Sequence, residues 1–311
     1  MHQQASVVMV LAGLLAALSL SIPAVADEDV ERSGGDGVLL EEVTATWCEY
    51  CAIIDDDISQ LQVVHGSRLT LLTIHPQSGP EPDPLYNEAM GLREARLNSS
   101  QSDGTPAFWL DAEFYGQGMI DVNSLSKDIL GRESQTSSAS DLTISTSPTD
   151  DGEIEVLVSL DSAEQYRNNT RITIMMVAKE VKLNKGAASN GQTLFHNVLL
   201  SSISIDLDDI DAAFPHSAGT GWSVKPLQVD GSLLSIEVSN DELPDEEVFF
   251  VAIHELDAQS FNESGDSRPL GIIDSQQHEV ASTSGEGIWQ WLVGGALLVG
   301  ILLILPARNK T

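Results

Sequence analysis

The chain has 311 residues, enough for two folded units plus targeting segments, and carries 47 acidic against 15 basic residues for a formal charge of −32. That balance excludes a nucleic-acid reader, because no basic patch can gather enough phosphate contacts, and acidity spread this evenly serves solubility. With only two cysteines, a disulfide framework and a four-thiolate zinc site are excluded as well.

Val7 to Leu20 is apolar and is followed by the small-residue pattern Ala24-Val25-Ala26, which predicts a signal peptide over residues 1–26. Its n-region, Met1-His2-Gln3-Gln4, lacks Lys and Arg, so an uncleaved N-terminal anchor is the alternative. Residues 27–36 are acidic and glycine-containing and are expected to be a linker. Gly37 to Val43 has the apolar and branched content of a buried strand. Trp47-Cys48-Glu49-Tyr50-Cys51 follows, and then Ile54, Ile58 and Leu61 recur at helical spacing, with Asp55, Asp56 and Asp57 expected on the solvent side. A Cys-x-x-Cys thus sits where a strand hands over to a helix. Free N–H groups and the helix dipole favour a thiolate on Cys48 there, while Glu49 opposes it. Glu41 and Glu42 are adjacent on the strand and must point to opposite faces, and Glu42 is expected to be the inward one.

Leu69 to Ile74 reads as a central strand ending in His75-Pro76, and the proline-rich Gln77 to Pro84 as a loop. Asn87 to Leu97 is expected to be an inserted helix with Met90, Leu92 and Leu97 as its apolar residues. Ala107 to Leu110 and Phe114 to Gly118 suggest a hairpin, and Asn123 or Ser124 caps a helix running to about Ile129.

Residues 37–133 resemble the thioredoxin fold. The resemblance rests on Trp47 before the first cysteine, on the Cys48–Cys51 pair, and on Gly104-Thr105-Pro106-Ala107-Phe108, which looks like the family's cis-proline loop. It also rests on Glu42, six residues before Cys48, at the position of the family's buried proton-carrying acid. The resemblance implies catalysis by Cys48, Cys51 and Glu42, with Trp47, Thr105 and Pro106 binding the client. Glu49-Tyr50 is not the dipeptide of thioredoxins or of the common oxidases, so the direction of electron flow stays open.

Residues 134–140 are Ser/Thr-rich and read as a second linker. Over 141–275 the period changes to two. Ile154, Val156, Val158 and Leu160 alternate with polar residues, and Arg171 to Ala178, Leu199 to Ile205, Leu233 to Val238 and Val248 to Ile253 are further strand candidates. An antiparallel β-sandwich is expected. The pairing of the two modules resembles secreted thioredoxin-like proteins described as outer-membrane proteins, through His196-Asn197-Val198-Leu199 and Val248 to Ile253. Residues 276–287 form a third linker. Ile288 to Leu305 is apolar except for Gln290; at ~1.5 Å per residue it spans about 27 Å, near the ~30 Å of a bilayer core. Trp289 and Trp291 before it and Arg308 and Lys310 behind it predict a transmembrane helix over 288–306 and a cytoplasmic tail over 307–311.

The fold class expected is therefore an α/β thioredoxin-like domain, an all-β antiparallel sandwich and a C-terminal transmembrane helix. The activity expected is thiol–disulfide exchange: Cys48 attacks and Cys51 resolves. No cofactor is expected. Clients would be secreted or surface proteins, and a membrane redox partner would recycle the pair. The competing reading is a surface binding protein with a structural Cys48–Cys51 disulfide, with or without Cu(I) or Zn(II) held by Cys48, Cys51 and His75. The acidic run Asp206, Asp208, Asp209 and Asp211 lacks the glycine and distal glutamate of a calcium loop and reads as a solvated turn.

Overall fold

A computed structural model describes residues 30–97, 104–135, 141–150, 152–161, 169–207, 216–219, 221–225, 228–230, 233–257 and 269–276. In chain order, β1 (Val30–Gly34) and β2 (Val38–Val43) precede α1 (Cys51–His65), a short 3-10 turn and β3 (Leu69–Ile74). Helix α2 (Glu88–Arg96), β4 (Ala107–Leu110), β5 (Glu113–Gln117) and α3 (Val122–Gln135) complete the first half. The second half is all strand: β6 (Leu142–Pro148), β7 (Ile154–Leu160), β8 (Thr170–Lys182), β9 (Leu194–Asp206), β10 (His216–Ala218), β11 (Trp222–Val224), β12 (Gln228–Asp230), β13 (Leu233–Asn240), β14 (Val248–Leu256) and β15 (Gly271–Asp274).

These strands make two sheets. One has six strands, in the order β1-β6-β7-β13-β11 with β12 beside β13. The other has nine, in the order β15-β14-β8-β9-β3-β2-β4-β5 with β10 beside β9. The larger sheet overturns the expected fold class. An α/β unit and a separate sandwich would each close their own sheet, but β3 lies parallel to β9, with Thr73 opposite Val198, and the two halves share one sheet. The described chain is mostly β, 47% strand against 20% helix. The linker expected over 27–36 contains β1, which pairs antiparallel with β6 from Val30–Thr146 to Gly34–Leu142. The linker expected over 134–140 begins inside α3. The predicted signal peptide (1–26), transmembrane helix (288–306) and tail (307–311) lie outside the described residues. Among the described residues no helix is long and apolar enough to cross a membrane.

Two periodicities explain the layering. Along β2, Val38 and Leu40 face α1 and α3, joining Ile54, Ile58, Leu61, Phe108, Leu125 and Ile129 in one core. Leu39 and Val43 face the other way, toward Met90 and Leu97 of the α2 region and Val177, Phe249 and Val251 of the second half. Strands covered on both faces read as continuous apolar runs, as β2, β3 and β8 do. On the face bearing α1, the second-half strands of the large sheet meet the six-stranded sheet, where Ile144, Val158 and Ile236 pack on Ile174, Ile203 and Phe250. Helix α1 is amphipathic as its spacing predicted. Ile58 is fully buried, so Ile58→Ala would cost roughly 2–5 kcal/mol.

Helix α2 departs from its sequence reading in one respect. Asn87 caps it, its Oδ1 accepting from the Met90 N–H at 3.1 Å, and Met90 and Leu97 are buried, but Leu92 is exposed. Arg93 and Arg96 are buried in its place.

Candidate functional site

Strand β2 ends at Val43, opposite Ala107 of β4, which sets Pro106 next in line beside Thr44. The Thr105–Pro106 peptide is cis, and the Pro106 carbonyl accepts from Gly118 N–H at 2.7 Å. Thr44 to Tyr50 then turns into α1. The helix starts at Cys51, later than the sequence reading placed it, although the Cys48 carbonyl already accepts from Ala52 N–H at 3.3 Å. Cys48 and Cys51 form a disulfide, and the Cys51 N–H points at the Cys48 Sγ at 3.1 Å.

Cys51 is fully buried and Cys48 only 5% exposed, whereas Glu49 and Tyr50 are exposed. Thiol exchange needs one sulfur within reach of a partner thiol, and both are covered here. The second half of the chain reaches the motif. The Asn190 N–H donates to Thr46 O at 3.0 Å, and Asn190 Nδ2 donates to Ala45 O and Cys48 O at 3.2 Å each. The β8–β9 turn is thereby laid against the motif. Trp47 is half-buried, its ring packed on Gly79, where a Cβ would fall 2.4 Å from the indole. Thr105 is half-buried beside the buried Pro106.

Polar side chains, most of them buried, gather around the ends of β2 and β3. Glu42 is 2% exposed and its Oε1 has no hydrogen-bond partner. Burial first, then the charge of Asp55 and a hydrogen bond with it, push the Glu42 carboxyl well above the usual carboxylate range. Asp55 is raised too, by burial, against hydrogen bonds from Gln192, Glu42 and Thr44 and the influence of His75. Its carboxylate accepts from Thr44 Oγ1 at 3.2 Å and from Gln192 Nε2 at 3.0 Å. His75 is fully buried; its Nδ1 is 3.1 Å from Asp83 Oδ2, and its Nε2 has no hydrogen-bond partner. Asp83 also accepts from the Thr46 N–H at 2.8 Å and the Leu85 N–H at 2.9 Å. Burial pushes Asp83 up, but His75 and these amides outweigh it and hold Asp83 below its ordinary value.

The structure thus brings Cys48, Cys51, Glu42 and the Thr105–Pro106 loop to one end of β2. It does not make His75 a third ligand. The two sulfurs are bonded to each other, and among the described residues no group of three or more His, Cys, Asp or Glu is placed to hold a metal. Asp55, Asp83, Asn190 and Gln192 escaped the sequence reading. Asp55 had been assigned to solvent with Asp56 and Asp57, yet it lies four residues after Cys51 and so on the same helix face, a signal present in the spacing.

Glu41 was expected to face solvent and is instead fully buried on the opposite face of the sheet. Arg93 Nη2 donates to Glu41 at 3.0 Å, and Arg93 Nη1 donates to Glu255 at 3.0 Å. Arg96 and Arg171 also pair with Glu255, so the network ties α2 to β2, β8 and β14.

No protein-family model matches the chain, and no curated protein matches it in sequence. Among solved structures it is similar to HBP35 of Porphyromonas gingivalis, with a TM-score of 0.56 and 12% identity over 81% of each chain. It is also similar to a structural-genomics protein of Agrobacterium tumefaciens, with a TM-score of 0.50 and 14% identity over 82% of this chain and 99% of that one. At these identities the likeness is one of fold.

Proposed function

We propose that Cys48 and Cys51 form a thiol–disulfide exchange centre acting on protein clients outside the cytoplasm, as the resemblance of residues 37–133 to thioredoxin-like proteins implies. The observation that carries this reading is a disulfide at the mouth of α1 that follows within a few residues of a strand end whose inward carboxyl, Glu42, is buried. A purely structural bridge needs no such acid, and a loop this short does little to restrict the unfolded chain.

The exchange balances as follows. A client thiolate attacks Cys48 Sγ, a client–Cys48 bond forms, and the Cys48–Cys51 bond breaks. Cys51 leaves as a thiolate and takes the proton that Glu42 holds. A second client thiolate then attacks the mixed disulfide and releases Cys48. The client loses two electrons and the pair gains two; the reverse sequence oxidises the pair. Recycling then falls to a membrane redox partner. The Thr105–Pro106 loop, lying beside the motif, is suited to pairing with an extended client segment.

One observation favours the competing reading of a binding scaffold with a structural bridge: Cys48 is nearly covered. Trapping separates the two. Cys51→Ser is expected to accumulate mixed disulfides with secreted proteins on non-reducing gels, and Cys48→Ser to accumulate none. Equal trapping by both variants removes the assigned roles, and no trapping by either selects the scaffold.

A further inference from the structure

We propose that Asp55 is the proton outlet of this site, passing protons between buried Glu42 and solvent, and that Gln192, from the second half of the chain, sets the position of Asp55. The inference rests on the exchange reading above and adds to it residues that the family resemblance does not supply.

The geometry is a short chain of carboxyls from the interior to the surface. Glu42 and Thr44 lie two apart along the end of β2, hence on one face. The Thr44 hydroxyl donates to Asp55 at 3.2 Å, which brings the Asp55 carboxylate over the same face, within hydrogen-bond reach of Glu42. Glu42 is almost fully buried, whereas Asp55 is half-buried and so the more exposed of the two. The remaining Glu42 oxygen is buried without a protein partner, so Asp55 is the neighbouring acid at hand for a proton that Cys51 releases or needs through Glu42. Two carboxyls this close do not both ionise readily; the more buried one, Glu42, keeps the proton, and the more exposed one exchanges with solvent.

Gln192 makes the arrangement depend on the fused fold. Its Nε2 donates to Asp55 Oδ2 at 3.0 Å, and its own N–H is held by Asn190 Oδ1 at 3.0 Å, the residue that also grips the motif carbonyls. The groups facing the carboxyl pair are His75 with its partner Asp83 beyond β3, neutral Gln192 from the β8–β9 turn, Thr44 from the end of β2 and apolar Phe108 from β4. Gln192 is a neutral donor that favours the ionised form of Asp55, and Asp55 in turn holds the proton on Glu42.

The pair of substitutions Asp55→Asn and Gln192→Ala in the full chain tests this, because they push in opposite directions. Removing the Asp55 charge lowers the pH at which Glu42 loses its proton. Removing the Gln192 donor raises the pH at which the carboxyl pair titrates. The readout is the carboxyl titration, followed by infrared difference spectra or carbon-13 side-chain resonances, alongside the pH profile of disulfide reduction by a small dithiol. Asp55→Asn is expected to slow reduction by about tenfold at neutral pH, less than the ~10²–10⁴ of a group acting directly on the reacting atom. Attack by the Cys48 thiolate on a client disulfide, read by mixed-disulfide formation in the Cys51→Ser background, is expected to stay unchanged. Titration midpoints that stay in place, or move in the same direction in both variants, overturn the relay while leaving the exchange centre standing. A wild-type chain that exchanges with no dithiol overturns the exchange reading and with it the relay, whatever the titration shows.

Discussion

Glu41 and Glu42 are chain neighbours on one strand, both out of water, and they meet opposite fates. On the α2 face, Glu41 joins Arg93, Glu255, Arg96 and Arg171 in a cluster where charge meets charge. On the α1 face, Glu42 meets another acid and no cation among its described contacts. The comparison teaches that burial alone does not decide what a carboxyl does. Paired, it is a fixed ion that ties elements together; unpaired beside a second acid, it becomes a store for a proton.

The strongest way to break the comparison is to make the α2 face resemble the α1 face. Arg93→Met leaves Glu41 buried without its cation, and is expected to destabilise the fold by roughly 3–5 kcal/mol in urea unfolding. A change under about 1 kcal/mol, the scale of a surface pair, would mean that the network is ornamental.

The next test sharpens the contrast through pH. Burial pushes the Glu255 carboxyl up, but Arg93, Arg96 and Arg171 outweigh it and hold it at about 2, against an ordinary 4.5. Its stabilisation is present above the unfolded value and is lost as pH falls toward the folded one, a shift worth on the order of 3 kcal/mol. Glu42 has the opposite sign. Its folded pKa is raised, so its contribution is full below the unfolded value and is lost as pH rises through the folded value. Glu42→Gln is therefore expected to flatten the decline in unfolding midpoint above the ordinary carboxylate range, while leaving the acid-side decline intact. A variant that loses the acid limb instead would reverse the assignment of the two faces.

How much of this was legible beforehand depends on the range of the contact. Local pattern gave β2, α1, β3, the hairpin β4–β5 and the Thr105–Pro106 loop, because each is written in adjacent residues. The period of two gave most second-half strands, some of them several residues short. The seam between β3 and β9 was not legible, because a single opposed pair, Thr73 and Val198, leaves no periodic trace. The same holds for Gln192, which reaches Asp55 across 137 positions. Arg93 and Arg96 misled the reading of α2, since a buried ion network places polar residues where periodicity expects apolar ones.

The smallest expected effect concerns the grip of Asn190 on the motif. Asn190→Ala removes side-chain hydrogen bonds to Ala45 O and Cys48 O and is expected to cost about 1 kcal/mol or slightly more. It is also expected to speed reduction of the disulfide by a small phosphine, because the covered sulfur becomes easier to reach. An unchanged reduction rate would show that Asn190 does not control access.

The β3–β9 seam also has a consequence for biogenesis. The cysteines leave the ribosome well before Asn190 and Gln192, and β1 appears long before β6, with which it pairs. During synthesis the nascent chain therefore passes through an interval in which Cys48 and Cys51 are made but uncovered, and the carboxyl pair has no second-half neighbour. Nonlocal pairing of this kind closes slowly. Maturation of the site is thus timed by the arrival of its last strands.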